Sequence, residues 1–582
     1  MRLKFFIISL LVSTMLLGAV PSALLKTMRK ELDRSMSDLS LEGEKKPYFI
    51  SYLLVDRCKY SASAKFGALM DSSDTHSRFL NVQVRVGDYR FDNMPSADQI
   101  YDYAPEDNKA NEEYKKVPIP LAEDSALLSR ALWLMTDIRY KQALRQYAKK
   151  EGRRATEVEE ECSDDFDRQN PVSYIGEEVR LTVDRSKWEQ KIRQYSSIFA
   201  DYPEIQESKV SFSVEARNNY FCSTEGSEIQ EGKLYCWLRI IASTQADDGM
   251  WVQSYRNYFG WSVEGLPSDD SVRKEIAMLV NEVLALKNAP VMEAYVGPAL
   301  IESRAAGVFI HETYGHRLES HRIESRESGE TFKDKVGSRI LPAFLSLYDD
   351  PTIKDYKGKP LNGFYLYDDE GVASRRVTLI SNGVLENFLC SRKPIKAFPY
   401  SNGHGRAQME YIGWGGIPVP RQGNLILENS RPVPFEQLKK QLLAECRKQR
   451  KPYGLIFVRS EGGATNTSRG FMELFQSNPL LVYRVDVKTG KEELVRGIKF
   501  GGTPLAALNK IMAAGDDPEV FNGFCGAESG SVPVGLVSPS ILLSEIEIAK
   551  DAASNRKPPI LPSPLYPSLP QDDGKDRSEP DL

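Results

Sequence analysis

Val291 to Glu319, VMEAYVGPALIESRAAGVFIHETYGHRLE, is the stretch that decides the fold of this 582-residue chain. Its apolar run Val308-Phe309-Ile310 leads directly into the H-E-x-x-x-H spacing of His311-Glu312-Thr313-Tyr314-Gly315-His316. Three of the five histidines of the chain, His311, His316 and His321, fall within eleven residues. Because an imidazole in apolar surroundings is costly without a partner, this clustering predicts a metal site rather than unrelated histidines.

The spacing of the two histidines sets a geometric condition on that site. Residues five apart lie roughly 140° apart around a regular α-helix, so both imidazoles could not reach one ion. A single π-bulge would bring positions five apart nearly into line, and the poor helix former Gly315 stands where such an irregularity is tolerated. The sequence therefore predicts a helix wound from i to i+5 between His311 and His316.

Glu312, next to the first histidine, is the candidate general base. On a helix its side chain points away from that of His311, which favours a base over a ligand. A zinc ion lowers the pKa of its bound water to about 7, and a neighbouring carboxylate can take the proton and pass it to a leaving group. Catalytic zinc usually has three protein ligands, so a third is required, and Glu319 and His321 are close enough in sequence to supply it.

Four other segments are distinctive when taken together with VFIHETYGHRLE. They are STEGSEIQEG at residues 223–232, YLYDDEGVASRRVTLISNGVLENFLCSR at 365–392, SNGHGRAQ at 401–408 and GFCGAESGSVPVGLVSPSILLSEIEI at 523–548. Together these segments resemble the TldD/PmbA peptidases, occur in the family's order and cover most of residues 200–548. The match is to the metal-carrying TldD-type branch, because PmbA-type partner subunits lack the H-E-x-x-x-H.

The resemblance implies that Cys525, in the closing C-G motif, is the third metal ligand beside His311 and His316. Two imidazoles and a thiolate suit Zn²⁺ best, although the ligand set alone does not forbid other first-row ions. Glu319 and His321 stay open as competing third ligands. Tyr314, His404 and Arg406 are candidates for the group that stabilises the tetrahedral oxyanion.

The resemblance also implies a zinc-dependent peptidase that hydrolyses unfolded or short peptides held extended in a narrow cleft. Such proteins work as homodimers or as heterodimers with a PmbA-like subunit. One alternative is a catalytically inactive or regulatory subunit that binds peptides, and another is an amidase that uses the same site. The net charge of −5 provides no general basic field, so nucleic acid is not an expected partner.

The chain reads as an α+β protein with N-terminal mixed α/β domains and a strand-rich C-terminal metallopeptidase domain. Helical periodicity marks residues 24–41, 123–150 and 271–287. Asn382-Gly383 between VTLIS and VLENFL predicts a hairpin, and Thr503-Pro504 predicts the start of a short helix that ends at Gly515. The expected divisions are a signal peptide at 1–23, an N-terminal α/β domain at 24–120, a central α+β domain at 121–290, the metallopeptidase domain at 291–550 and a disordered proline-rich tail at 551–582.

The N-terminus has the layout of a secretory signal peptide. Arg2 and Lys4 precede an apolar run from Phe5 to Val20, which is short for a membrane span, and small residues follow. We expect cleavage around residues 20–23, export to the periplasm or beyond, and no stable membrane span afterwards. This leader departs from the resemblance, since described members of the family are largely cytoplasmic.

Seven cysteines leave at least one thiol without an intramolecular partner. If the protein is exported, Cys222 and Cys236 are expected to form a disulfide across a hairpin, with Cys525 as the unpaired thiol. The other four are expected to be small buried hydrophobic residues: Cys58, Cys162, Cys390 and Cys446.

Overall fold

A computed structural model describes residues 20–94, 113–154, 163–324, 332–412, 417–467, 475–500 and 510–551, together with residues 559 and 563. The predicted leader before residue 20, most of the predicted tail and Cys162 lie outside these ranges. No helix within them is long and apolar enough to cross a membrane. The fold is α+β with several layers, as predicted, and strands predominate.

The N-terminal half of the chain is built on one six-stranded sheet, the first sheet. Its order is β2-β1-β4-β5-β3, with β6 paired to β5. Its strands are β1 Pro47–Lys65, β2 Ala68–Val86, β3 Ser173–Ile175, β4 Glu207–Ser223, β5 Glu228–Gln245 and β6 Trp251–Gly260. Because β1 pairs with β4 from Ser51 to Ala64, strands from both sides of the predicted boundary at residue 120 belong to the same sheet.

Four helices cover the first sheet. They are α1 Ala23–Asp38, α2 Ser125–Arg154, α3 Arg185–Ser197 and α4 Asp269–Asn288. Helix α1 begins where Ser22 accepts a hydrogen bond from the backbone N–H of Leu25, and Leu25, Met28 and Leu32 recur at helical spacing on its buried face. Helix α1 packs against β1 and β4 and α2 packs against β2, whereas α3 packs against β1, β2 and β4 and α4 packs against β5 and β6. The predicted helices at 24–41, 123–150 and 271–287 are thereby confirmed.

The C-terminal half contains two further sheets. The second sheet has the order β12-β11-β8-β15-β22-β21 and consists of β8 Leu345–Asp349, β11 Val377–Ser381, β12 Val384–Leu385, β15 Asn424–Asn429, β21 Glu519–Ala527 and β22 Gly530–Ser538. The third sheet has the order β18-β17-β16-β7-β23-β19, with β20 on β23, and consists of β7 Tyr295–Ile301, β16 Tyr453–Thr465, β17 Phe475–Asp486, β18 Glu492–Val495, β19 Ile498–Phe500, β20 Ile511–Ala514 and β23 Ile541–Lys550. Two small ribbons pair β9 Asp355–Tyr356 with β10 Lys359–Pro360 and β13 Gly405–Arg406 with β14 Val419–Pro420.

Helix α5, Ser303–Thr313, lies between the second and third sheets. Its apolar residues share one core with both sheets, and Gly307 lets the helix approach Leu536 of β22. The other helices here are α6 His321–Glu324, α7 Met409–Ile412 and α8 Phe435–Lys448. Helix α8 covers the opposite face of the third sheet, so that sheet is buried on both sides. Because α5 is enclosed between the second and third sheets, its polar side chains are held in fixed positions.

The hairpin predicted at Asn382-Gly383 is confirmed. Strands β11 and β12 pair there, with φ of 47° at Asn382 and 82° at Gly383. Both central residues have positive φ, as the tight type I′ turn requires, and Asn-Gly tolerates that conformation best.

The prediction of a helix that ends at Gly515 is wrong for the residues that the structure describes. Ile511–Ala514 is strand β20, paired antiparallel with β23, while residues 501–509 lie outside the described residues. Ile511 is buried and Met512 is exposed, as on a strand. The pairing partner offered by β23 outweighs the weak local preference for helix.

The expected disulfide between Cys222 and Cys236 is also wrong, because both thiols are free. In the β4–β5 ladder, Cys222 lies opposite Glu228 and Cys236 lies opposite Val214. The two cysteines are therefore eight strand positions apart and belong to different core clusters. Strands rise about 3.3 Å per residue, which puts the thiols far beyond bonding distance.

Candidate metal centre

Helix α5 ends between the two histidines, and this ending brings them together. The backbone N–H of Tyr314 donates to Ile310 over 2.9 Å, a regular α-helical bond. A 3₁₀ turn then spans Gly315–Leu318, in which Arg317 N–H donates to Tyr314 over 2.9 Å. The imidazole rings of His311 and His316 lie 4.9 Å apart between centroids.

The predicted π-bulge is therefore wrong. A helix that stops and tightens changes the direction of the chain, so residues five apart can converge without a widened turn. Gly315 is needed here for a different reason than the one expected. A side-chain carbon at this position would overlap the amide of Gln422, which is fully buried. Gly315 thus permits a close approach between the turn and the loop before β15.

Cys525 enters the same site from β21, at the edge of the second sheet. Its Sγ lies 3.3 Å from His316 Nε2, although the two residues are 209 positions apart in sequence. The potential ligand atoms of His311, His316 and Cys525 all lie within 4.8 Å of one another. All three side chains are buried, with exposures of 4%, 6% and 4%.

The charges of this cluster favour the ligand form of the cysteine. Burial alone would raise the pKa of the Cys525 thiol, but the two imidazoles hold it well below its usual value. Burial would lower the pKa of His316, but the thiolate and Glu319 raise it well above its usual value. The buried Nδ1 of His311 has no hydrogen-bond partner among the described residues. Two imidazoles, a thiolate and an unsatisfied nitrogen suit a tetrahedral metal ion.

Glu319 lies behind His316 and not among the three convergent ligands. One of its oxygens is 3.2 Å from His316 Nδ1 and accepts a hydrogen bond of 2.9 Å from Arg322 Nε. Its other oxygen is 3.7 Å from Arg421 Nε. A carboxylate in this position orients an imidazole ligand and fixes its tautomer.

His321, the other competing ligand, is paired with Glu528. Glu319, His321 and Glu528 also bring potential ligand atoms within 4.8 Å of one another. However, Arg322 donates to both carboxylates, over 2.9 Å in each case, so a fixed positive charge already occupies this second cluster. The structure therefore favours His311, His316 and Cys525 as the metal-binding group.

Arg421 joins the two remote parts of the site. It is fully buried, and its Nη2 donates to the backbone oxygen of Cys525 over 2.6 Å and to the Cys525 sulfur over 3.2 Å. Its Nη1 donates to Gly530 and Ser529, each over 2.9 Å. One guanidinium thus positions the β21–β22 turn and the thiolate together, while its Nε faces Glu319.

Glu312 faces a large cleft from the last turn of α5. The carboxylate is buried beside Gly463 of β16, and no described residue donates a hydrogen bond to it. Burial raises its pKa above the usual value, although the neighbouring imidazoles oppose this. A carboxylate of raised pKa without a fixed partner is available for proton transfer.

The cleft has a volume of about 660 Å³ and lies between the N-terminal and C-terminal halves of the protein. His311, Glu312, His316 and Cys525 all contribute to its lining. Other parts of the wall come from Tyr255 and Asn257 of β6, Arg239 of β5, residues 461–467 and residues 521–528. The convergent ligands are thus accessible to a substrate.

The three candidates for an oxyanion-stabilising group do not line this cleft. The Tyr314 hydroxyl donates to the backbone oxygen of Ile340 over 2.9 Å. His404 Nε2 lies 3.2 Å from Asp349, and Arg406 donates to the backbone oxygens of Gln422 and Pro533. Each side chain is already committed to the support of a loop.

Three residues around the site were missed by the sequence analysis. Arg322, three residues after Glu319, follows a spacing that could have suggested an ion pair within one turn. Arg421 and Glu528 carry no local signal, since their roles depend on contacts more than 100 residues away.

Comparisons with known proteins agree with this architecture. The sequence model of the PmbA/TldA metallopeptidase C-terminal domain matches residues 295–550. A metalloprotease of Archaeoglobus fulgidus is 29% identical over 274 residues, which cover 47% of this chain and 58% of that protein. A zinc metalloprotease TldD homolog of Saccharolobus solfataricus is 26% identical over 281 residues, or 46% of this chain and 57% of that protein. The chain thus matches little more than half the length of these curated relatives.

The solved structures extend the similarity to the fold of nearly the whole chain. The crystal structure of TldE from Thermococcus kodakarensis superposes with a TM-score of 0.56 and 12% identity, covering 91% of this chain and 100% of that one. At this identity the likeness concerns the fold alone. Residues 295–550 are therefore a PmbA/TldA metallopeptidase C-terminal domain, and the curated relatives named metalloprotease or TldD homolog support a place for the chain in the TldD/PmbA family.

Proposed function

We propose that this protein is a zinc-dependent peptidase acting on unfolded or short peptides. The observation that carries the proposal is the convergence of His311, His316 and Cys525, with Glu312 beside them, in an accessible cleft. The metalloprotease names of the relatives support hydrolysis of peptide bonds in general. The assignment to zinc rests on the donor set and on the name of one relative.

His311 Nε2 or Nδ1, His316 Nε2 and Cys525 Sγ would hold the ion. A zinc ion in such a site supplies Lewis acidity and makes water acidic enough to attack an amide near neutral pH. Glu312 would accept the proton of the attacking water and deliver it to the leaving nitrogen. Glu319 and Arg421 would hold His316 and Cys525 in place during these steps.

The shape of the cleft supports an extended peptide as substrate. Strand β21 is the outermost strand of the second sheet, and its residues 521–527 line the cleft next to the ligand set. A sheet edge offers backbone groups to an additional strand, and this mode of binding reads little sequence. Most strands of a folded protein already have both edges paired or covered, so unfolded or short peptides fit best.

Metal analysis and cleavage of a reduced, denatured protein test the proposal. The wild-type protein should contain one equivalent of zinc and lose activity with a chelator. The Glu312→Gln variant should retain zinc and lose at least about 100-fold in kcat, the lower bound typical of a missing general base. A matched control is Glu436→Gln, which alters a carboxylate at a side-chain exposure of 79% and should cleave normally.

Normal cleavage by Glu312→Gln would remove this mechanism. Zinc binding without any cleavage by the wild-type protein would favour an inactive or regulatory subunit instead. Hydrolysis of simple amides but not of peptides would favour an amidase.

The assembly and location are further parts of the proposal. A homodimer, or a heterodimer with a PmbA-like subunit, is supported by the family resemblance, and the mass of the purified protein in solution tests it. Export is supported by the charged and apolar N-terminal sequence before Ser22. N-terminal sequencing of protein from the extracytoplasmic fraction should begin near residues 20–24, and an intact Met1 would contradict export with cleavage.

A further inference from the structure

We infer that Phe524 and Trp237 form a subsite for an aromatic or large apolar side chain of the substrate, one residue away from the position that faces the metal ligands. The inference rests on the proposed peptidase function and adds a selectivity to it.

Phe524 is the residue before Cys525, yet its environment is the opposite. Cys525 is buried at 4% exposure, whereas Phe524 is 60% exposed. Successive side chains on a strand point to opposite faces, so Phe524 points to the other side of β21 from the metal ligands. A large aromatic ring that is left in solvent inside a cleft is available to a ligand.

Trp237 of β5 packs directly against the Phe524 ring. The ring centroids of Phe524 and Trp237 are 5.6 Å apart, with 37° between the planes. Trp237 packs in turn on Phe259 at 4.8 Å, and Phe259 on Trp261 at 4.9 Å. The row of rings fixes Trp237, so that the pair presents a preformed aromatic surface rather than a flexible one.

The position of this surface follows from the strand register. Strand β21 pairs with β22 on one side only, with Cys525 opposite Val532 and Phe524 opposite Pro533. If a peptide adds to the other edge, each peptide residue directs its side chain to the same face as its cross-strand neighbour. The residue opposite Cys525 then faces the metal ligands. The next residue, opposite Phe524, faces Phe524 and Trp237.

The space behind the aromatic pair limits the subsite to the two rings. Phe524 lines both the main cleft and a second cavity of about 270 Å³, which we call the rear cavity. Tyr235 and Phe364 belong to the walls of the rear cavity, but charged residues such as Arg217 and Glu410 line it as well. The aromatic pair, and not the rear cavity, therefore provides the apolar surface.

Cleavage-site mapping provides the test. A reduced, denatured protein is digested with zinc-loaded enzyme, and the two residues on each side of every hydrolysed bond are counted by mass spectrometry. Phe, Tyr, Trp, Leu and Met should be enriched at one of these four positions. Two matched peptides then carry Phe or Ala at that position, and the kcat/KM for the Phe peptide is divided by that for the Ala peptide. Phe524→Ala and Trp237→Ala should each reduce this Phe-to-Ala ratio about tenfold, whereas Phe524→Tyr should preserve it.

Trp133→Ala is the control, since Trp133 is 49% exposed on α2, whereas Trp237 packs on Phe524. Absence of enrichment in the wild type, or an unchanged ratio in Phe524→Ala, would overturn the subsite. If the wild type cleaves nothing, binding of the same two peptides by fluorescence anisotropy decides. Tighter binding of the Phe peptide that Phe524→Ala abolishes would support the subsite while the peptidase function fails, and equal binding would overturn the subsite as well.

Discussion

Replacement of Glu319 by glutamine tests the support of the metal site most directly. The side chain is fully buried, lies 3.2 Å from His316 Nδ1 and accepts from Arg322 over 2.9 Å. Glutamine has nearly the same shape but no charge. The change therefore removes the charge behind the imidazole without opening a cavity.

Two effects follow from this geometry. Loss of an outer partner of a metal-bound imidazole typically weakens metal binding 10- to 100-fold; since glutamine keeps one oxygen, we expect about tenfold, or about 1.4 kcal/mol. Arg421, 3.7 Å from Glu319, would also lose its nearest carboxylate. Removal of one partner from a buried ion pair costs about 3–5 kcal/mol, and we expect the lower end because Glu528 still compensates Arg322.

The assay is a zinc titration against a competing chelator, combined with chemical unfolding of the metal-free protein. Glu293→Gln is the matched control, because this carboxylate pairs with Lys550 at a side-chain exposure of 77%. Glu319→Asp should recover part of the lost affinity, since it restores the charge. A folded Glu319→Gln protein that binds zinc within threefold of the wild type would refute the assigned role.

Two further predictions concern α5 and the turn after it. Gly315→Ala should lower the free energy of unfolding by about 1–3 kcal/mol and weaken zinc binding, because the new carbon displaces the buried Gln422 amide. The control is Gly152→Ala, where the new carbon would meet nothing and should not destabilise the protein. Equal effects of the two changes would contradict the close approach between Gly315 and Gln422. Burial and the nearby Asp517 raise the pKa of Glu302 to about 7, so the folded protein binds a proton there more tightly than the unfolded chain, and stability is lost as the pH rises from about 4.5 to 7. Glu302→Gln has no carboxyl group to lose this proton. Between pH 4.5 and 8, the free energy of unfolding of the variant should therefore rise by about 1–2 kcal/mol relative to that of the wild type, after allowance for partial solvation. A difference between the two proteins that does not change with pH would contradict the raised pKa of the buried carboxyl.

Local patterns in the sequence predicted much of the secondary structure. Helix α1, the hairpin at Asn382-Gly383 and the apolar approach to His311 each depend on contacts within a few residues. The α+β class followed from the alternation of such segments. The family resemblance, not the spacing, pointed to Cys525.

Where a sequence-based prediction was wrong, a partner strand distant in sequence decided the structure. Ile511–Ala514 is a strand because β23 is beside it. Cys222 and Cys236 stay apart because the β4–β5 register places them on different stretches of the ladder.

The sequence by itself determined that two imidazoles and a carboxylate stand within six residues at the end of one apolar segment, which indicated a metal site. Only the tertiary structure decided how they converge and what supports them. It ends α5 in a 3₁₀ turn, brings Cys525 across 209 residues to His316, and places Arg421 between the thiolate and Glu319. The physical reason is that a hydrogen bond or metal site requires atoms within a few ångströms, and separation along the chain carries no information about that distance until the sheets have paired.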